Sequence, residues 1–352
     1  MFTIDLSVFL ACAVGMFFVA ATWQVSALGL IMGIAIGADY SIGSPLLAEF
    51  TEEKKRGHYL GLLEISWNVG YVVAYLIGYL INTYHPGAWR FILAASAVPA
   101  LICLIIRHGL PESPRWLLSK GRRDEAYAII DEELGKDRRA EFEHEEAEQT
   151  RFGLLFSPDY LRRTMFACLF WIAIVTPYFA LTFFQAEVLS DLGLGKSALI
   201  GALIGTCIAL VGAVIGWYLV DRVGRRPLVI IPMFACGFFL LVTAFASHLP
   251  TAIGAIAFFA YLLSYGPMSI LPGIYPEELF PTSVRTSGVG LASAASRVGA
   301  AIGTFALPVM ITHLGLSWAL GAMAIVSLLG GVMSFAWAPE TARKSLAETA
   351  HR

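Results

Sequence analysis

Ten apolar stretches, each close to the length a lipid bilayer demands, decide what this chain can fold into. They run over about 5–23, 26–48, 58–82, 89–107, 164–186, 197–219, 228–247, 251–275, 286–311 and 315–338. A helix of roughly 20 apolar residues crosses the hydrocarbon core. Backbone groups at that depth must bond within their own helix or in a closed barrel. The alternation of barrel strands is missing, so the predicted class is all-α. Composition agrees: 57% of residues are hydrophobic and 14% charged, against about 25% charged in soluble domains. The charge is also segregated, with 24 of the 50 charged side chains between 107 and 163. A net charge of −2 gives no reason to expect a nucleic-acid partner. Cys12, Cys103, Cys168, Cys207 and Cys236 lie inside apolar runs without CxxC spacing and read as small packing residues. No cleavable signal peptide is expected, because the first run begins almost at Met1 without a basic leader.

Basic residues then orient the spans. One set of connections carries 21 lysines and arginines, the opposite set only Arg90 and Lys196. The basic side is predicted to be cytoplasmic, with both termini on it, in a multi-pass protein of the plasma (inner) membrane. Four regions follow: a four-span bundle over 1–107, a cytoplasmic linker with short amphipathic helices over 108–163, a six-span bundle over 164–338, and a cytoplasmic tail over 339–352.

The chain also repeats itself. Glu49 precedes Arg56 by seven residues, and Glu278 precedes Arg285 by seven, an offset of 229. Pro111-Glu112-Ser113-Pro114-Arg115 returns as Pro339-Glu340-Thr341-Ala342-Arg343, and Asn68-Val69-Gly70 answers to Arg297-Val298-Gly299. Two similar halves are expected.

Asp221-Arg222-Val223-Gly224-Arg225-Arg226 forms a short turn between two spans. Glycine permits the tight reversal, the arginines face the anionic inner leaflet, and the aspartate compensates them or sits against a helix N-terminus. This loop resembles the signature cytoplasmic loop of the major facilitator superfamily. Pro111-Glu112-Ser113-Pro114-Arg115-Trp116-Leu117 is similar to the segment after the sixth helix in its sugar-porter and organic-ion branches. Glu278 to Arg285 and Pro339-Glu340-Thr341 resemble that group's inner-face motifs. The resemblance covers essentially the whole chain. It implies a two-bundle transporter and assigns Glu49, Arg56, Glu112, Arg115, Asp221, Arg222, Gly224, Arg225, Arg226, Glu278, Arg285 and Glu340 to conformational motifs. Family members have twelve spans and carry the signature loop twice. The first copy would fall before Met1, so the ten spans are expected to be helices three to twelve, with a misassigned start or a truncation removing the first two.

Charges inside apolar spans are expensive, about 2.5–3.5 kcal/mol at the bilayer centre, and mark candidate sites. Asp39 sits in Gly37-Ala38-Asp39-Tyr40, where its repeat counterpart is Met268. A carboxylate in a semi-dry cavity can exchange a proton between two access states. The segment resembles the Gly-Asp-Tyr region of phosphate–proton symporters and organic-acid carriers. The alternative is a plain ion pair with a neighbouring helix. Glu64 follows the Arg56-Gly57 corner, and either faces the site or snorkels toward the inner surface. Arg297 suits two-pronged binding of a carboxylate or phosphate, or pairs internally with Asp39 or Glu64. Asn68 occupies the repeat position of Arg297. Tyr178 and Gln185, seven apart, share a helix face. Gln185 is where a sugar-binding glutamine pair would be sought by resemblance, and the sequence there is Phe183-Phe184-Gln185-Ala186, without the pair. Pro177 and Gly266-Pro267 are expected kinks, and Gly29, Gly33 and Gly37 an expected helix-packing stripe.

Together these imply a secondary active transporter of a small metabolite, an organic anion or other small solute, by proton symport through alternating access. The expected partners are that solute, a proton and the bilayer; no cofactor or metal is expected, and the protein is expected to be a monomer. A sugar transporter and a truncated, transport-inactive or receptor-like membrane protein are the alternatives. The seven histidines fall in loops or at span ends without HxxH spacing, so an embedded enzyme is not expected.

Overall fold

The computed structural model describes residues 2–51, 56–107, 109, 111–135, 152–245, 250–280 and 282–341. Among these residues every regular element is helical. The chain divides into two compact units. One comprises 1–59 and 80–151, the other 60–79 and 152–352.

The first unit contains α1 (Phe2–Gly15), a 3₁₀ turn (Met16–Phe18), α2 (Thr22–Phe50) and the two ends of α3 (Arg56–Tyr84). After them come α4 (Trp89–Ala94), α5 (Ala97–Arg107), α6 (Pro114–Ser119) and α7 (Arg123–Ile129). Helix α1 packs against α2 and α5. The start of α2 is closed by Gln24, whose Oε1 accepts the N–H groups of Ala20 and Ala21 at 2.7 and 3.1 Å. Arg90 Nε donates to Val19 O at 2.9 Å and ties the start of α4 to the preceding turn. In the predicted linker, α6 begins with Pro114 in its first turn, and Ser113 Oγ accepts the Trp116 N–H at 3.1 Å. Arg122 grips Glu125 with two hydrogen bonds of 2.8 and 2.5 Å, which hold that carboxyl below its ordinary range. The rest of the linker, 136–151, lies outside the described residues.

The second unit contains the middle of α3 and α8 (Pro158–Phe183), α9 (Gln185–Leu189), α10 (Ala198–Val223), α11 (Arg225–Ala244) and α12 (Thr251–Ser269). It ends with α13 (Tyr275–Leu279), α14 (Thr282–Leu314) and α15 (Leu316–Trp337). The main packing pairs are α8 with α14, α11 with α15, and α10 with α12. Small residues make the tightest approaches. A Cβ on Gly212 would lie 2.5 Å from Leu263 O, and one on Gly216 would lie 2.5 Å from Pro267 Cα. Gly299 likewise leaves room for Thr176 Oγ1, which a Cβ would meet at 2.5 Å. Outward faces carry apolar side chains such as Ile231, Phe238, Ile302, Phe305 and Phe335, all exposed. Lipid, not water, is the solvent that makes such a surface stable.

Nine helices among the described residues are long and apolar enough to span a membrane. The predicted first span is the exception: Ile4–Phe18 is a shorter apolar helix, because α1 stops at Gly15 and tightens into a 3₁₀ turn. The predicted span at 89–107 is interrupted between α4 and α5. The glycine stripe is also corrected. A Cβ on Gly29, Gly33 or Gly37 would meet nothing within 4 Å, so close packing belongs to α10, α12 and α14 instead. All five cysteines are free, and Cys103 and Cys207 are exposed rather than packed inside. Pro177, Pro232, Pro267 and Pro308 all lie inside continuous helices.

Candidate solute site and inner-face cluster

A polar and aromatic cluster occupies the core of the second unit, and α3 runs through it. Gly61 lets α3 approach α10, because any Cβ there would lie 2.6 Å from Trp217 Cδ1. One turn on, Glu64 is 8% exposed, and its carboxylate lies over Gly273, where the chain turns between α12 and α13. Asn68 is buried one turn further, with Nδ2 donating to Glu64 O at 2.9 Å. On the same helix stand Trp67, Tyr71 and Tyr75, each four residues from the next. Trp67 stacks on Tyr71 with ring centres 5.9 Å apart, and Tyr178 of α8 lies 6.2 Å from Trp67 and 6.3 Å from Tyr71. Tyr178 stacks in turn on Tyr265 of α12, at 3.9 Å and an interplanar angle of 5°. Tyr75 OH donates to Thr182 O at 3.3 Å.

Arg297 on α14 is exposed, with its guanidinium 5.8 Å from the Phe179 ring centre. Its positive charge acts on Glu64. The structure gathers Glu64, Asn68 and Tyr178 in one core, and sets Arg297 beside Phe179, whose ring packs on Tyr178. Asp39 is elsewhere: it pairs with Arg107 at 2.6 Å in the first unit, the ion-pair alternative left open by the sequence. Gln185 does not continue the face of Tyr178. The helix breaks at Phe184 (φ −107°, ψ 21°), and Gln185 begins α9 fully buried against Gly205 of α10. Trp67, Tyr71, Tyr75 and Tyr265 were not among the residues the sequence singled out, although the four-residue spacing on α3 marks the first three.

At one end of the same unit the signature loop is locked. Gly224 adopts φ +95°, and a Cβ there would lie 2.6 Å from Glu340 Oε2. Glu340 fills that space and accepts the N–H groups of Arg225 and Arg226 at 3.0 and 3.1 Å, capping the first turn of α11. Asp221, for which both compensation of the arginines and a place at a helix N-terminus were expected, pairs with Arg225 at 2.9 Å. The Arg225 side chain, 6% exposed, also grips Glu278 through Nε at 3.1 Å and Nη2 at 2.8 Å. Thr341 Oγ1 donates to Glu278 at 2.6 Å, and Tyr275 OH donates to Pro339 O. Arg226 reaches Phe335 O at 3.0 Å, Arg285 reaches Phe280 O at 3.2 Å, and Arg222 lies 3.8 Å from the Tyr218 ring centre. Glu112 faces Arg122 at 3.6 Å. The side chains of Glu49, Arg56 and Arg115 lie outside the described residues.

A family description, "Sugar (and other) transporter", matches residues 1–351. The chain belongs to that family. Among its relatives, the inner membrane metabolite transport protein YgcS of Escherichia coli is 37% identical over 330 residues, covering 92% of this chain and 73% of YgcS. The putative metabolite transport protein YaaU of the same organism is 34% identical, covering 100% of this chain and 79% of YaaU. Among solved structures, the major facilitator proton:xylose symporter XylE superposes with a TM-score of 0.82 at 20% identity, covering 99% of this chain and 82% of XylE. This sugar-transporter family member is thus a major facilitator protein: an integral, multi-pass metabolite or sugar transporter, and not an enzyme.

Proposed function

We propose that the chain moves a small organic anion or another small polar solute by proton symport through alternating access. The observation that carries this reading is a buried carboxylate, Glu64, on the helix that bears Trp67 and Tyr71, with the Arg297 guanidinium 5.8 Å from Phe179, whose ring packs on Tyr178 and Trp67. An ionised carboxylate buried among helices must be paired or take up a proton. A guanidinium is suited to hold a carboxylate or phosphate through two parallel hydrogen bonds. Asn68 supplies a further polar group beside them, and Gln185 belongs to the same helical unit. The aromatic wall supports a second reading, a sugar, whose apolar ring faces stack on such rings. The relatives named D-xylose-proton symporter and XylE point the same way. The purified chain in proteoliposomes, screened with labelled organic acids, sugars and phosphate, tests both readings. Uphill accumulation of at least one solute that depends on an imposed proton gradient is expected. Equilibration alone, identical with and without the gradient, defeats the symport reading.

A further inference from the structure

Two arginines of the second unit meet at the end of α15. Arg162, one turn into α8, donates through Nη2 to Ala336 O at 3.3 Å. Arg226, at the start of α11, donates through Nη2 to Phe335 O at 3.0 Å. Carbonyls in the last turn of a helix have no partner within it and form the negative end of its dipole, so they draw cations. The two acceptors belong to neighbouring residues, whose Cα atoms lie about 3.8 Å apart. Two helices therefore bring their guanidinium groups to one spot. Both arginines are exposed. Each spends one of a guanidinium's five donors there, and neither guanidinium has a carboxylate partner among the described residues. Asp159, three residues before Arg162, does not pair with it. Asp221 answers Arg225, and Glu340 meets Arg226 at its backbone N–H. The residues around the two carbonyls present apolar surface, with Phe335 63% exposed and Trp337 38%.

We propose that Arg162 and Arg226 hold the phosphate of one anionic phospholipid, whose acyl chains lie against Phe335 and the outer face of α15. The uncommitted donors of two guanidinium forks match the two unesterified oxygens of a phosphodiester. An arginine at the membrane surface is drawn to anionic lipid. The exposed rings favour a lipid over a free phosphate: apolar surface beside the charges gives acyl chains a place and a hydrated ion nothing, and tryptophan at a span end sits at headgroup level. A lipid with a quaternary ammonium on its headgroup has no net charge to offer the pair of arginines, so the site selects lipids without one. A second apolar element flanks the start of α8. The 3₁₀ turn Phe152–Phe156 is fixed to that helix by Leu155, which is buried and whose carbonyl accepts the Thr164 hydroxyl at 2.8 Å. Phe152 and Phe156 are left exposed on it, at the depth where chains leave the headgroup. The inference goes beyond the transport reading and holds for whichever solute is carried.

Native mass spectrometry of the purified full chain, offered equal amounts of phosphatidylglycerol and phosphatidylcholine in detergent, tests the site. The unsubstituted chain is expected to retain one phosphatidylglycerol in preference to phosphatidylcholine. Its affinity should fall about fivefold in Arg162→Gln and in Arg226→Gln, the loss of one surface arginine's attraction. Arg90→Gln, which removes an arginine bonded to Val19 O in the first unit, should leave the affinity unchanged. Two arms need no variant, and so decide the matter even where a substitution impairs folding: the preference between the two lipids, and a challenge with inorganic phosphate at the lipid's own concentration, which should displace nothing. Equal retention of the two lipids, full affinity in a folded Arg162→Gln, or an equal loss in Arg90→Gln would each overturn the site. Displacement by inorganic phosphate would overturn it in favour of a free-anion site.

Discussion

Arg297 and Glu278 show how differently a charge behaves in the two parts of the second unit. Arg297 is exposed on α14, where its charge acts on Glu64 and can turn to an arriving solute. Arg297→Gln is expected to raise the apparent KM for an anionic solute at least tenfold while changing that for a neutral solute about threefold or less, since a bidentate charge-assisted pair is the interaction removed. Equal shifts for both solutes, measured in proteoliposomes, would exclude anion selection. Glu278 instead answers an arginine that is 6% exposed on its side chain. Without Glu278 the buried Arg225 is answered only by the 58%-exposed Asp221, and breaking a buried pair costs up to about 3–5 kcal/mol. Glu278→Gln should therefore lower the melting temperature in detergent markedly more than Glu112→Gln, whose carboxylate is 57% exposed and faces Arg122 at 3.6 Å. A comparable loss in both variants would contradict the buried pairing.

At the scale of elements, the crossing of α10 and α12 is the sharpest test of packing. Gly212 and Gly216 face Leu263, Gly266 and Pro267 with no room for a side chain. Gly212→Val forces the two helices apart, and overpacking of this kind costs about 1–3 kcal/mol. Gly33→Val, where a Cβ meets nothing within 4 Å, should be tolerated. Thermal unfolding of the two variants checks the difference, and matched stabilities would refute the crossing. This pair also shows what the sequence could and could not reveal. Apolar runs of the right length predicted the long helices, because length and hydropathy are local properties. The partners of small residues are not local: Gly29, Gly33 and Gly37 share the four-residue spacing of Gly212 and Gly216 on α10, but among the described residues an added Cβ meets nothing within 4 Å at the former and meets α12 at the latter. Likewise Asp39 and Arg107 are 68 residues apart, so the sequence offered an ion pair with a neighbouring helix but not Arg107 as the partner. The seven-residue step from Tyr178 to Gln185 failed because α8 ends at Phe183, a break that no proline or glycine announced.

For the whole molecule, the segregation of lysine and arginine is the feature that fixes direction. The connection carrying Lys196 is predicted to lie opposite the basic face. An epitope inserted between Lys196 and Ser197 should bind antibody on intact cells without permeabilisation. Labelling that needs permeabilised cells would reverse the orientation. The repeat offset of 229 predicts two related halves; residues 60–79 fall in the second unit, where Trp67 lies near Tyr178 of α8 and Glu64 against the Gly273 turn.

The ring column of α3 has one more consequence. Trp67 is half-buried and stacked on Tyr71 beside Tyr178. Indole emission responds to whatever touches the ring and to how wet its surroundings are. The wall that would hold a cargo is therefore also a built-in dye, reporting occupancy by colour and brightness before any label is attached.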